Sequence, residues 1–98
     1  MTRPAATPEV QIDDGVVRVT KWSFAPGAET GWHRHGYAYV VVPMTTGALT
    51  IDTGDGVVTA ELTAGAAYNR PAGVEHNVIN DNEFDFAFVE VELLEKAG

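Results

Sequence analysis

The sequence predicts an all-β protein, a compact antiparallel barrel of one domain, on three observations. Its apolar residues gather in short runs rich in Val, Ile, Thr, Phe and Tyr. Glycine and proline break these runs roughly every 8–12 residues, the punctuation of a sandwich or barrel. No segment carries a convincing helical period.

The strands follow in order. Residues 16–24 are β-branched and aromatic and stop at Pro26 and Gly27. Residues 37–42 form a second run, halted by Pro43. Residues 48–52 and 57–62 flank Thr53-Gly54-Asp55-Gly56, the clearest hairpin in the chain, because Gly54 and Gly56 can take the positive φ of a tight turn. Residues 67–70 and 76–79 are separated by Pro71-Ala72-Gly73. Residues 84–93 close the set, with Phe84, Phe86 and Phe88 alternating onto one face. Residues 1–8 read as an N-terminal arm or as an edge strand exchanged with a second subunit, and residues 9–98 as the single domain. Residues 94–98 read as a helical turn or a frayed end.

Composition excludes several classes of function. A hydrophobic fraction of 45% over 98 residues suits one folded domain. A domain of this length removes roughly 60–70% of its unfolded surface from water, so an added interface would help stability. The net charge is −8 and the six basic residues are scattered. Binding to nucleic acid or to an acidic membrane needs clustered Lys and Arg, so neither is expected. No stretch approaches the length of a membrane span. Cysteine is absent, which excludes disulfides and thiolate ligands. The first eight residues lack the apolar core of a signal peptide, and the expected location is the cytoplasm.

Chemistry concentrates in the histidines. All three fall in two short motifs: Gly27, five residues, His33, Arg34, His35 and on to Gly47; then Gly65, five residues, Pro71, Ala72, Gly73, two residues, His76, three residues, Asn80. Side chains two apart on a strand share a face. His33 and His35 can therefore lean onto one ion at about 2.0–2.2 Å while Arg34 points away. His-x-His alone fits a partly exposed polar face equally well. Pro71 and Gly73 set up a chain reversal that delivers His76 onto a returning strand. Two separately placed histidine elements, with no histidine elsewhere, favour a shared metal site. Structural histidines satisfied within the core are the alternative.

On these motifs the chain resembles a single-domain cupin of the RmlC-like type over nearly its whole length. The resemblance implies an antiparallel double-stranded β-helix, the jelly-roll barrel, with His33, His35 and His76 as metal ligands. It also implies structural roles for Asn80 and the motif glycines. The stretches 31–43 and 68–76 are further similar to small cupins known as β-alanine degradation proteins, which points to small amino-acid or carboxylate metabolism. One departure stands out. Cupins usually carry a glutamate ligand three or four residues after the second histidine, where this chain has Tyr39 and Val40. The resemblance therefore implies a three-histidine centre with positions open to water or substrate.

Other residues are candidates for ligand contact. Arg70, directly before the motif proline, suits a bidentate clamp on a substrate carboxylate if it enters the barrel, and is a surface charge if it does not. Tyr37 and Tyr39 are candidate pocket residues, because Gly36 obscures the local alternation. Arg34 and Glu75 are expected to face away from the histidines, and Trp22 and Trp32 to serve the core or an interface.

Two functions compete: a metalloenzyme acting on a small carboxylate or amino-acid-derived metabolite, and a non-catalytic module that binds or senses a small ligand. Either uses one divalent transition metal among Fe, Zn, Ni, Mn and Cu, since imidazoles suit several of these ions. A homodimer is the expected assembly, as two-fold pairing is the commonest.

Overall fold

The computed structural model describes residues 2–94. Among these the chain forms nine strands and no helix: β1 Thr7–Asp13, β2 Val17–Phe24, β3 His33–Arg34, β4 Tyr39–Pro43, β5 Gly47–Asp52, β6 Val57–Leu62, β7 Tyr68–Arg70, β8 Glu75–Ile79 and β9 Phe86–Leu93. Residues 95–98, most of the segment read as a helical turn or frayed end, lie outside the described residues.

The strands build two sheets, ordered β1-β2-β9-β4-β7 and β3-β8-β5-β6, with antiparallel pairing throughout. This is the antiparallel jelly-roll barrel expected. β1 begins at Thr7, within the segment read as an arm, and forms the outer edge of the larger sheet. Ahead of it, the Ala6 amide donates to Glu29 O and the Glu29 amide to Pro4 O.

Alternation explains the core. On β9, Phe86, Phe88 and Glu90 are buried while the residues between them are half-exposed. Phe84 departs from the expected alternation. It precedes β9, is exposed, and its ring lies about 3.1 Å from where a Cβ on Gly47 would stand. Phe24 and Phe88 pack with centroids 5.5 Å apart, and Leu49, Val41 and Val78 join them in the same cluster.

Just past β8, Asn80 is fully buried and serves as a polar plug. Its Nδ2 group lies 2.9 Å from Phe84 O and 3.3 Å from both Phe24 O and Ala25 O. Its Oδ1 accepts from the amide and the side chain of Asn82. A buried amide is tolerated there because both of its ends find partners.

The hairpin between β5 and β6 takes the expected form. Gly54 sits at φ 87°, a left-handed conformation that side chains rarely adopt. Its missing side chain leaves room for the Trp32 ring, which would stand 3.0 Å from a Cβ there. Gly56, at φ 159°, is nearly extended and does not share that requirement.

Candidate metal centre

Strand pairing assembles the centre. β3 lies against β8 with His33 directly opposite His76 and Arg34 opposite Glu75. β3 is only two residues long, so His35 lies just past it. The chain beyond is held by hydrogen bonds from the His35 amide to Val74 O and from the Gly73 amide to His35 O. Gly73, at φ 96°, allows the turn that returns β8 to this position.

The result is a convergence of three rings. His33 Nε2 lies 3.0 Å from His35 Nε2, which lies 3.1 Å from His76 Nε2, and the three ligand atoms fall within 4.8 Å of one another. Two nitrogens bound to one ion at about 2.1 Å stand roughly 3.0–3.4 Å apart, so the spacing of these neighbouring pairs matches shared coordination.

The proton arrangement supports the same use. His33 Nδ1 lies 2.9 Å from Gly31 O, which can only accept. Neutral His33 therefore carries its proton on Nδ1 and turns the lone pair of Nε2 toward the other two rings. Burial, and then the charge of His33, bring the His35 imidazole down to about 4. Burial, with His33, His35 and Arg70 behind it, brings His76 to about 4 as well. Both are neutral at physiological pH, the form a metal requires. Crowded imidazole nitrogens of this kind fit a cation.

Tyr39 stands where a glutamate was expected, and it does something else. It is buried, and its ring stacks on His35 with centroids 3.9 Å apart and planes 20° from parallel. Burial, with the Glu90 charge adding to it, raises its phenol to about 12, so it stays neutral. It positions the imidazole and presents a hydroxyl. Val40, the other candidate position, is a half-buried valine.

The residue that sequence reasoning missed is Glu90. It is 8% exposed, and its Oε1 lies 3.8 Å from His35 Nδ1, on the ring edge away from the other histidines. Burial, reinforced by the like charge of Glu92 and partly offset by a side-chain contact from Trp22, raises its carboxyl to about 7. The signal was present: Glu90 continues the inward alternation of Phe86 and Phe88, and an acid at such a position calls for a reason.

A cavity of about 250 Å³ opens beside the triad. His33, His76, Tyr39, Tyr68, Arg70 and Glu90 contribute polar groups to its otherwise largely apolar wall. Arg70 reaches this wall while remaining exposed as a residue. Its guanidinium lies 5.0 Å from the Tyr68 ring centroid. Tyr37 is 41% exposed and stands outside the wall. Trp22 lines the cavity, whereas Trp32 is 54% exposed with its ring over Gly54. Arg34 is exposed, and Glu75, also exposed, reaches the cavity rim.

Comparison with known proteins agrees with this architecture. The model of the cupin domain family matches residues 20–92. The β-alanine degradation protein BauB of Pseudomonas aeruginosa is 58% identical over 91 residues, covering 93% of this chain and 96% of that protein. The crystal structure of a cupin domain from Bordetella pertussis Tohama I superposes with a TM-score of 0.94 at 60% identity, covering 99% of each chain. A protein with a double-stranded β-helix domain from Klebsiella pneumoniae shares the fold, with a TM-score of 0.77 at 23% identity over 100% of this chain and 84% of that one.

Proposed function

Because the chain belongs to the cupin domain family, we propose that it is a metal-binding cupin acting on a small carboxylate or amino-acid-derived metabolite. The carrying observation is the convergence of three imidazole nitrogens beside a cavity of small-molecule size. His33, His35 and His76 hold one divalent transition metal. Such an ion supplies Lewis acidity or, if it is iron, activation of dioxygen. The similarity to BauB supports a small amino-acid-derived substrate.

The chain's own residues then divide the work of binding. The Gly31 carbonyl fixes the tautomer of His33, and the Tyr39 ring fixes the plane of His35. Leu49, Ile51, Val78 and Phe88 line the cavity with apolar surface that keeps water out. Arg70, at the wall, holds the substrate carboxylate with two parallel N–H bonds. Arg70→Lys is expected to weaken binding of small carboxylates by about 1–3 kcal/mol without changing metal content, since an ammonium cannot reproduce the two-pronged contact. Calorimetric titration of metal-loaded wild type and variant checks this, and equal affinities would remove Arg70 from the site.

The alternative reading is a non-catalytic module that binds or senses a ligand, and the neutral Tyr39 phenol favours it, being a poor proton carrier near pH 7. Reconstitution with metal under anoxic conditions, followed by an oxygen-uptake screen against small acids, thiols and diketones, separates the two. Turnover supports the enzyme; tight binding without turnover supports the module.

The proposal also places the protein in the cytoplasm as a homodimer. Support for pairing comes from β1, an edge strand exposed along its whole length, with Val10, Ile12, Val16 and Leu93 exposed in the same region. Light scattering is expected to report twice the chain mass, and a monomer would remove the dimer from the account.

A further inference from the structure

Around the cavity Arg70, Glu75 and Glu90 stand outside any ion pair with Lys or Arg or a carboxylate among the described residues, and of the two acids only Glu90 is buried. Arg18 is spent on Glu92 through bonds of 2.8 and 2.9 Å. Arg70 has no carboxylate partner among the described residues. Glu90 has no Lys or Arg there within salt-bridge distance; His35 Nδ1 stands 3.8 Å away, and the Trp22 side chain supplies a hydrogen bond. Both residues reach the wall of the same cavity. A buried carboxylate is costly unless something positively charged or hydrogen-bonding meets it.

Strand register sets the distance between them. On the larger sheet Val41 pairs with Glu90 on one side and with Tyr68 on the other. Glu90 and Tyr68 therefore occupy one row, two strand spacings or about 10 Å apart at the backbone. The Arg70 guanidinium leans over the Tyr68 ring, toward that row. With a Glu side chain entering from one end and an Arg head from the other, the gap suits a short chain.

We propose that Glu90 is a specificity-determining residue that receives the amino group of a small zwitterionic ligand whose carboxylate is held by Arg70. The inference rests on the carboxylate reading of the cavity and adds the second end of the ligand. It also accounts for a buried acid and an arginine on the wall of one largely apolar cavity. The ligand class is an amino acid with its amino and carboxylate groups separated by a short chain.

The test is calorimetric titration of the metal-loaded protein with β-alanine, propanoate and propylamine. β-Alanine is expected to bind more tightly than propanoate by on the order of tenfold, the effect of one added charge-assisted bond. Glu90→Gln should erase that preference while metal content and propanoate affinity stay unchanged. Glu90→Asp, which keeps the charge, should retain part of it. Equal affinities of β-alanine and propanoate for the wild type, with binding still dependent on Arg70, would overturn the role of Glu90 and leave the carboxylate reading standing. Binding of propylamine alone, or of none of the three to metal-loaded protein, would overturn both.

Discussion

Replacing His76 with alanine is expected to strip the protein of its metal. The two rings on the β3 side would keep one close contact, His33 Nε2 to His35 Nε2 at 3.0 Å, and lose the donor brought across from β8. Changes in the outer shell of a metal site commonly cost about 10–100-fold in affinity, and loss of one of three ligands should exceed that. Metal content after chelation and reconstitution reads the result directly. Stability reads it independently: metal at about 100 times its Kd adds roughly 2.7 kcal/mol to a protein that binds it only when folded. Wild type should show that gain in a melting experiment, His76→Ala should not, and Arg34→Ala, a change at an exposed neighbour, should behave as wild type. Metal-dependent stabilisation that survives in His76→Ala would contradict the assignment.

The largest expected loss of stability lies at Asn80, just past β8. Asn80 is wholly buried, and its amide joins the carbonyls of residues 24, 25 and 84 to the Asn82 amide and side chain. Asn80→Ala leaves those groups without their partner and opens a void among them. Each buried polar group left unsatisfied costs about 1–3 kcal/mol, so the substitution is expected to cost about 3–5 kcal/mol. That is a large share of the roughly 5–15 kcal/mol that stabilises a domain. Asn80→Asp should be nearly as harmful, because a carboxylate of the same size accepts hydrogen bonds but cannot donate to the carbonyls. Urea unfolding measures both, and a loss below about 1 kcal/mol for Asn80→Ala would show that the plug is not a stabilising element.

Much of this molecule was legible in its sequence, and the gaps have physical causes. β-Branched and aromatic runs mark β2, β4, β5 and β9, which pack residues into the core, and β6, whose valines stay exposed and where only Leu62 is buried. β1 was missed although Val10 and Ile12 alternate with Glu9, Gln11 and Asp13, because the run is short and the strand is exposed along its whole length. The histidines were legible because the turn residues Pro71 and Gly73 predict a reversal, and the register confirms it with His33 opposite His76. Tyr37 and Tyr39 could not be told apart, since the alternation across Gly36 depends on how the chain leaves β3; the structure buries Tyr39 and exposes Tyr37. Glu90 approaches His35 from a strand 55 positions further along the chain, and only the completed sheet, with β9 beside β4, shows that proximity.

The central claim is that His33, His35 and His76 bind one metal ion. The most direct measurement is a crystal structure of the reconstituted protein with anomalous data collected at the absorption edge of the added metal. The account predicts one anomalous peak per chain, about 2.0–2.2 Å from the Nε2 atoms of all three histidines, beside the cavity wall that carries Arg70 and Glu90. A metal-loaded crystal with no peak at the triad, or with a peak bound by other side chains, would contradict it.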